Sequence, residues 1–193
     1  MKNKKIDIKL ILIAVLTLTI GFSACNSNNN FVNPKELIEA EQQLLDRYYN
    51  EMMSNDMVRL DSMTAAALDT MDHRFESGLM LFHTKIGDGD SIKIFNKVGY
   101  RFTAYNIAQD TLDVTYEAYA GSNDYSNAPV SYTTYLLNDA ASANATGVPL
   151  GINEALLNMR YGGEAKVVLP SAIGGVNGYY TTIYELRVTY LEQ

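Results

Sequence analysis

The chain has 193 residues, 15 basic against 22 acidic side chains, and a formal net charge of −7. That acidic balance repels phosphate backbones and argues against nucleic-acid partners, while the length allows one domain with a substantial core plus an appendage. A single cysteine excludes a disulfide within the chain, so the fold must be held by its core alone.

The N-terminus reads as an address. Lys2, Lys4 and Lys5 form a positive start, and Leu10 to Phe22 is an apolar or small run with the length of a signal-peptide core, too short to cross a bilayer comfortably. It ends in Phe22-Ser23-Ala24-Cys25, which resembles the lipobox of bacterial lipoproteins, with Phe22 where leucine is usual. The alternative is an ordinary secretory signal cut after Ala24. The lipobox resemblance implies a signal peptide over residues 1–24, lipidation at Cys25, and a membrane anchor that does not span the bilayer. Each buried acyl methylene adds roughly 0.8 kcal/mol to such an anchor.

Residues 25–32 then form a polar tether, Asn26-Ser27-Asn28-Asn29-Asn30 among them. It lacks the acidic cluster that resembles a surface-export signal in Bacteroidetes-type lipoproteins. The expected location is therefore the cell envelope, anchored to the outer membrane and facing the periplasm. Loss of residues 1–24 removes four lysines and Asp7, which moves the formal charge from −7 to −10.

Asn33-Pro34-Lys35-Glu36 has the form of a helix start, with a capping Asn, Pro at the first helical position and Glu to complete a capping box. Leu37, Leu44, Tyr48 and Met52 share a face, with Ile38, Leu45 and Tyr49 beside them, so the helix is expected to run to about Met53. After Ser54-Asn55-Asp56, the spacing of Met57, Leu60, Met63, Ala67, Leu68, Met71 and Phe75 predicts a second helix to about residue 74. Residues 33–75 are thus read as an N-terminal helical segment. Its methionine stripe is either core or an adaptable client-binding face.

From Gly78 the pattern changes to strands. Leu79 to Ile86 leads to Gly87-Asp88-Gly89-Asp90, read as a tight turn because a calcium loop needs more oxygen ligands at fixed spacing. Val98, Tyr100, Phe102 and Ala104 alternate with Gly99, Arg101 and Thr103. Leu112 to Tyr119 and Val130 to Leu137 read as further strands, separated by a polar loop over Gly121 to Pro129. A second loop spans Asn138 to Gly147. Ala155, Leu156 and Met159 recur at helical spacing, Gly162 and Gly163 stop that helix, and Val167 and Leu169 lie on one face of the next strand. Thr181 to Leu191 closes the chain as a strand. The sum is α+β: an antiparallel sheet around one short helix, preceded by an N-terminal helical arm.

Several of these pieces resemble the FKBP-type peptidyl-prolyl isomerases. That family's Val-Ile-x-Gly-Trp, Glu-Ala-Leu-x-x-Met-x-x-Gly and basic strand ending in Ile-Pro are met by Val148-Pro149-Leu150-Gly151-Ile152, Glu154-Ala155-Leu156, Met159, Gly162, Lys166 and Leu169-Pro170. Val98-x-Tyr100-x-Phe102-x-Ala104 is similar to its Val-x-Val-x-Tyr-x-Gly strand, and Ile183 to Val188 to its last strand. The resemblance implies an FKBP-like domain over residues 77–193, an antiparallel half-barrel around one helix. It implies a substrate pocket of Phe102, Val148, Pro149, Ile152, Tyr184 and Asp113. Phe102 stands at a tyrosine position, Ile152 replaces the tryptophan floor, and Gly174 lies near the place of a tyrosine whose hydroxyl bonds the substrate carbonyl. The implied function is an isomerase or chaperone acting on proline-containing or unfolded exported proteins, without cofactor or metal. The alternative is a non-catalytic protein- or peptide-binding lipoprotein with a degenerate pocket.

Other chemistry finds little support in the pattern. His73 and His83 are the only histidines and lie apart in sequence, which argues against a zinc or catalytic site. No Gly-x-Ser-x-Gly elbow occurs. Tyr125, Tyr132 and Tyr135 are either structural or a platform for sugars.

Overall fold

A computed structural model describes residues 33–53, 57–60, 63–66, 68–109, 115–126, 128–174 and 180–192. The expected signal peptide, Cys25, the tether and Asp113 lie outside the described residues. The described elements all belong to one compact unit, Pro34–Gln193.

In chain order the elements are α1 (Pro34–Met53), β1 (Met57–Leu60), β2 (Met63–Ala66), β3 (Asp69–His73), β4 (Leu79–Lys85), β5 (Lys97–Gln109), β6 (Thr115–Ser122), β7 (Val130–Thr133), α2 (Ala140–Thr146), α3 (Leu150–Leu157), β8 (Glu164–Leu169), α4 (Ser171–Gly174) and β9 (Thr182–Leu191). Strands β1 and β2 pair as a separate ribbon. The main sheet has the order β3-β4-β8-β9-β5-β6, with β7 also on β5, and every pairing is antiparallel. The architecture is α+β, as the sequence implies.

Alternation along the strands sends side chains to two cores. Leu79, Leu81, Val98, Tyr100, Ala165, Val167, Leu186 and Val188 join Val148, Ile152, Leu156 and Met159 on the α3 side. Met80, Phe82, Tyr105, Ile107, Val168 and Ile183 face the other way and are covered by Leu45, Tyr48 and Tyr49 of α1. Residues 79–83 are consequently buried without interruption, because a strand roofed on both faces has no wet side.

Polar contacts fix α1 in place. Glu41 accepts hydrogen bonds from the Ser171 backbone N–H (2.7 Å), the Ser171 hydroxyl (2.6 Å) and the Thr181 hydroxyl (3.0 Å). Toward its other end, the Tyr48 hydroxyl donates to Glu117 (2.6 Å), which is also paired with the fully buried Lys166 at 2.7 and 2.8 Å.

The expected second helix is corrected. Residues 57–60, 63–66 and 69–73 are strands, and β3 adds an edge to β4. A helical stripe would need Leu68, Met71 and Phe75 buried together. Only Met71 packs on the core, whereas Leu68 is 64% and Phe75 96% exposed. The period-two pattern Asp69-Thr70-Met71-Asp72-His73 prevails because it satisfies the backbone edge of β4.

The expected loop over 138–147 is corrected too, since it contains α2. Asp139 caps that helix, accepting from the Ser142 N–H (3.1 Å) and hydroxyl (2.7 Å), and Gly147 closes it at φ 68° with its N–H on the Ala143 carbonyl. Strand β7 stops at Thr133, and β6 begins at Thr115 and runs on to Ser122. The turn at Gly87 is a close approach: a Cβ there would lie 2.2 Å from the Tyr161 carbonyl oxygen and 2.6 Å from the Gly163 nitrogen. Among the described residues, no helix is long and apolar enough to cross a membrane.

Candidate functional site

The α3 face of β5 and β9 carries the aromatic residues that strand alternation groups together. Tyr184 and Phe102 are neighbours across the strand pair, their ring centroids 5.6 Å apart at 68°. From Phe102 the row continues to Tyr100 at 6.1 Å, Tyr132 at 6.2 Å and Tyr135 at 6.0 Å. These separations lie in the range favoured by offset and edge-to-face aromatic pairs. Five rings thus run across the sheet, with the Phe102 and Tyr184 end only half buried.

Two asparagines hold the row in register. Asn123 Oδ1 accepts from the Phe102 N–H at 2.6 Å, the Asn123 N–H donates to the Phe102 carbonyl at 3.0 Å, and Asn123 Nδ2 donates to the Tyr100 carbonyl at 3.4 Å. Asn153 lies fully buried in α3. Its Oδ1 accepts from the Tyr132 hydroxyl and the Tyr135 N–H, both at 3.1 Å, and its Nδ2 donates to the Tyr135 carbonyl at 2.9 Å. The Tyr135 hydroxyl donates to the Val148 carbonyl at 2.6 Å, which ties the row to the entry of α3. Sequence reasoning missed both asparagines. Asn153 carried a usable signal, a polar residue at a buried position of an otherwise apolar helix.

Burial, then neighbouring phenols, push the Tyr100 and Tyr132 hydroxyls well above their ordinary pKa, with Tyr184 and Tyr135 contributing at Tyr100. Tyr135 rises to about 12 by burial and by the nearby Asp139 charge, and Tyr184 rises through burial. Every tyrosine in the row is therefore neutral and a donor at physiological pH. Among the described residues, the Tyr100 and Tyr184 hydroxyls have no hydrogen-bond partner. Tyr184 is half-buried, whereas Tyr100 is only 4% exposed.

The six residues of the expected pocket are distributed unevenly. Phe102, Tyr184, Ile152 and Val148 share one core, but Ile152 is 1% exposed and Val148 2%, so neither presents a surface to a ligand. Val148 and Pro149 line a neighbouring groove of about 260 Å³ with α2, Leu150, Ala172 and Ile173. Asp113 lies outside the described residues. The position of the missing tyrosine, Gly174, is in the one-turn α4 at the end of β8.

The histidines have structural roles. His73 Nδ1 lies 2.9 Å from Glu154 Oε1, which also accepts from the Ser77 hydroxyl at 2.8 Å, joining β3 to α3. His83 is buried in β4. Among the described residues, no group of three or more His, Cys, Asp or Glu side chains is placed to hold a metal ion.

No family model matches this chain. No curated protein matches it either. Among solved structures, the chain is similar to a peptidyl-prolyl cis-trans isomerase from Pseudomonas syringae pv. tomato, with a TM-score of 0.50 and 14% identity over 86% of this chain and 100% of that one. It also aligns with FkpA from Escherichia coli, at a TM-score of 0.46 and 16% identity over 98% of this chain and 84% of that one. With the antiparallel sheet and the helix α3 packed on one face, the first of these likenesses makes the fold FKBP-like.

Proposed function

We propose that this protein is an envelope lipoprotein whose FKBP-like domain acts as a peptidyl-prolyl isomerase and chaperone on exported polypeptides. One observation carries the reading: the half-exposed Phe102 and Tyr184 pair, with an unpartnered phenol donor at Tyr184. The Tyr184 hydroxyl stands in for the donors absent at positions 102 and 174. Proline packs against the two rings, and a phenol donates to the carbonyl of the residue before it.

Rotation of the prolyl amide is opposed by about 18–20 kcal/mol of lost resonance. A dry surface that binds the twisted amide better than either planar form lowers that barrier by differential binding. Neutral donors suit this task, since a phenolate would accept and not donate.

A protease-coupled assay on proline tetrapeptides tests the reading. The expected result is a rate above background at micromolar protein, lowered about tenfold in kcat/KM by Tyr184→Phe, the loss equivalent to one hydrogen bond. Absence of a rate at that concentration removes the enzymatic half. The buried Ile152, in place of an open floor, favours a second reading, a non-catalytic binder of proline-containing segments. In that case such a peptide binds without turnover and Phe102→Ala abolishes the binding. The anchor is tested separately: Cys25→Ala is expected to abolish palmitate labelling and to release the protein from the membrane fraction.

A further inference from the structure

We infer that the cleft between α1 and the turn after β3 is a second docking site, for polypeptide segments that combine basic and apolar side chains. It has a volume of about 400 Å³ and is walled by Leu45, Asp46 and Tyr49 of α1, by Arg74 to Gly78, and by Pro170. None of the ring-row residues lines it, and the inference does not require isomerase activity.

The turn is a rigid wall. The Glu76 and Gly78 N–H groups both donate to the His73 carbonyl, at 3.0 and 2.9 Å, and Gly78 adopts φ 95°, where a side chain would be strained. The Arg74 guanidinium lies 5.0 Å from the Tyr49 ring centroid and grips Asp72 through two hydrogen bonds, 2.9 and 2.7 Å. So held, the turn projects Phe75 into solvent at 96% exposure. The Phe75 ring meets the Arg74 guanidinium, 5.9 Å from the centroid, and leaves an exposed apolar surface at the mouth of a cleft floored by Leu45, Tyr49 and Pro170.

Charge sets the partner's chemistry. Arg74 and Asp72 neutralise each other. Asp46 and Glu76 stand exposed on opposite walls, and among the described residues neither forms a direct ion pair; Asp46 receives the neutral Gln42 amide at 2.9 Å and feels the Arg74 charge at longer range. With Arg74 already paired to Asp72, the cleft keeps an excess of two carboxylates across an apolar floor, which complements a segment with lysine or arginine spaced around leucine or phenylalanine. Tyr49 adds a second sign that this wall is incomplete. The residue is 3% exposed and its hydroxyl is buried with no hydrogen-bond partner.

Fluorescence anisotropy with a labelled, proline-free peptide of alternating lysine and leucine tests the proposal on the full chain. The expected result is saturable binding that weakens about tenfold in the double variant Asp46→Lys, Glu76→Lys and about fivefold in Phe75→Ser. The control double variant Glu36→Lys, Glu39→Lys has the same net charge and reverses exposed carboxylates outside the cleft; it is expected to bind as the parent does, and so is Tyr184→Ala. Equal weakening by the two double variants, binding of a glutamate-for-lysine peptide with equal affinity, insensitivity to Phe75→Ser, or loss of binding in Tyr184→Ala would each overturn the proposal. The proline-free probe and the Tyr184 variant keep its failure distinct from that of the isomerase reading.

Discussion

Lys166 is a lysine without solvent: its side chain is 0% exposed, and its ammonium meets both oxygens of Glu117, itself 5% exposed. Such a pair is worth little over an apolar alternative, but breaking one half leaves the other charge stranded. Lys166→Met is expected to destabilise by about 3–5 kcal/mol in urea unfolding, and adding Glu117→Leu to restore most of the loss. The opposite sign holds for the two buried hydroxyls without partners, Tyr49 and Thr182. Tyr49→Phe and Thr182→Val remove an uncompensated polar atom, so each should leave the urea midpoint unchanged or raise stability by up to about 1 kcal/mol. His83 gives a pH signature. Burial holds its pKa below the ordinary imidazole value, outweighing the pull of Asp69. The unfolded chain therefore binds its proton first: stability is complete above about pH 6.5 and declines as pH falls below it, toward the lower folded value. A Tm series from about pH 7.5 to 5.5 should show this decline for the parent and a flatter profile for His83→Gln.

Elements were legible where local signals and tertiary demands agreed. Helix α1 announces itself through Pro34, Glu36 and an apolar face, of which the structure buries Leu45, Tyr48 and Tyr49 and leaves Ile38 exposed. The spacing of methionines after it matched a helix equally well, yet the open edge of β4 captured residues 69–73 as a strand. The helical spacing and the period-two alternation overlap across residues 69–73, and spacing alone does not decide between them. Helix α2 was legible in principle, through Asp139 and Gly147 around an alanine-rich stretch, but small polar residues masked it as loop. At the site, Phe102 and Tyr184 are named by the family resemblance, and the fold sets their rings side by side, while Asn123 and Asn153 act through backbone groups that only the folded register brings near. The Gly87 contact belongs to the same scale. Two backbone segments touch there, and Gly87→Ala is expected to lower Tm by well over about 5 °C, since neither Tyr161 nor Gly163 can yield a side chain to make room.

At the scale of the whole molecule, the sheet is a middle layer. One face carries α3 and the row of rings, the other carries α1, and the proposed polypeptide sites open at different borders of that arrangement. A boundary drawn at residue 77, where the family resemblance begins, would cut through this architecture. It would remove β3 and α1 together and uncover Met80, Phe82, Ile107, Val168 and Ile183 along with the Lys166 and Glu117 charges. A fragment of residues 77–193 is expected to bind a hydrophobic dye and sediment as aggregate, whereas residues 33–193 remain monodisperse.

Helix α1 is thus a lid riveted to the domain and not a stalk. Any force, protease or competing helix that prised Glu41 from Ser171 and Thr181 would begin to unzip the wet rivets first and then the greasy seam below them. Loss of this one helix would convert the molecule from a closed particle to a sticky one.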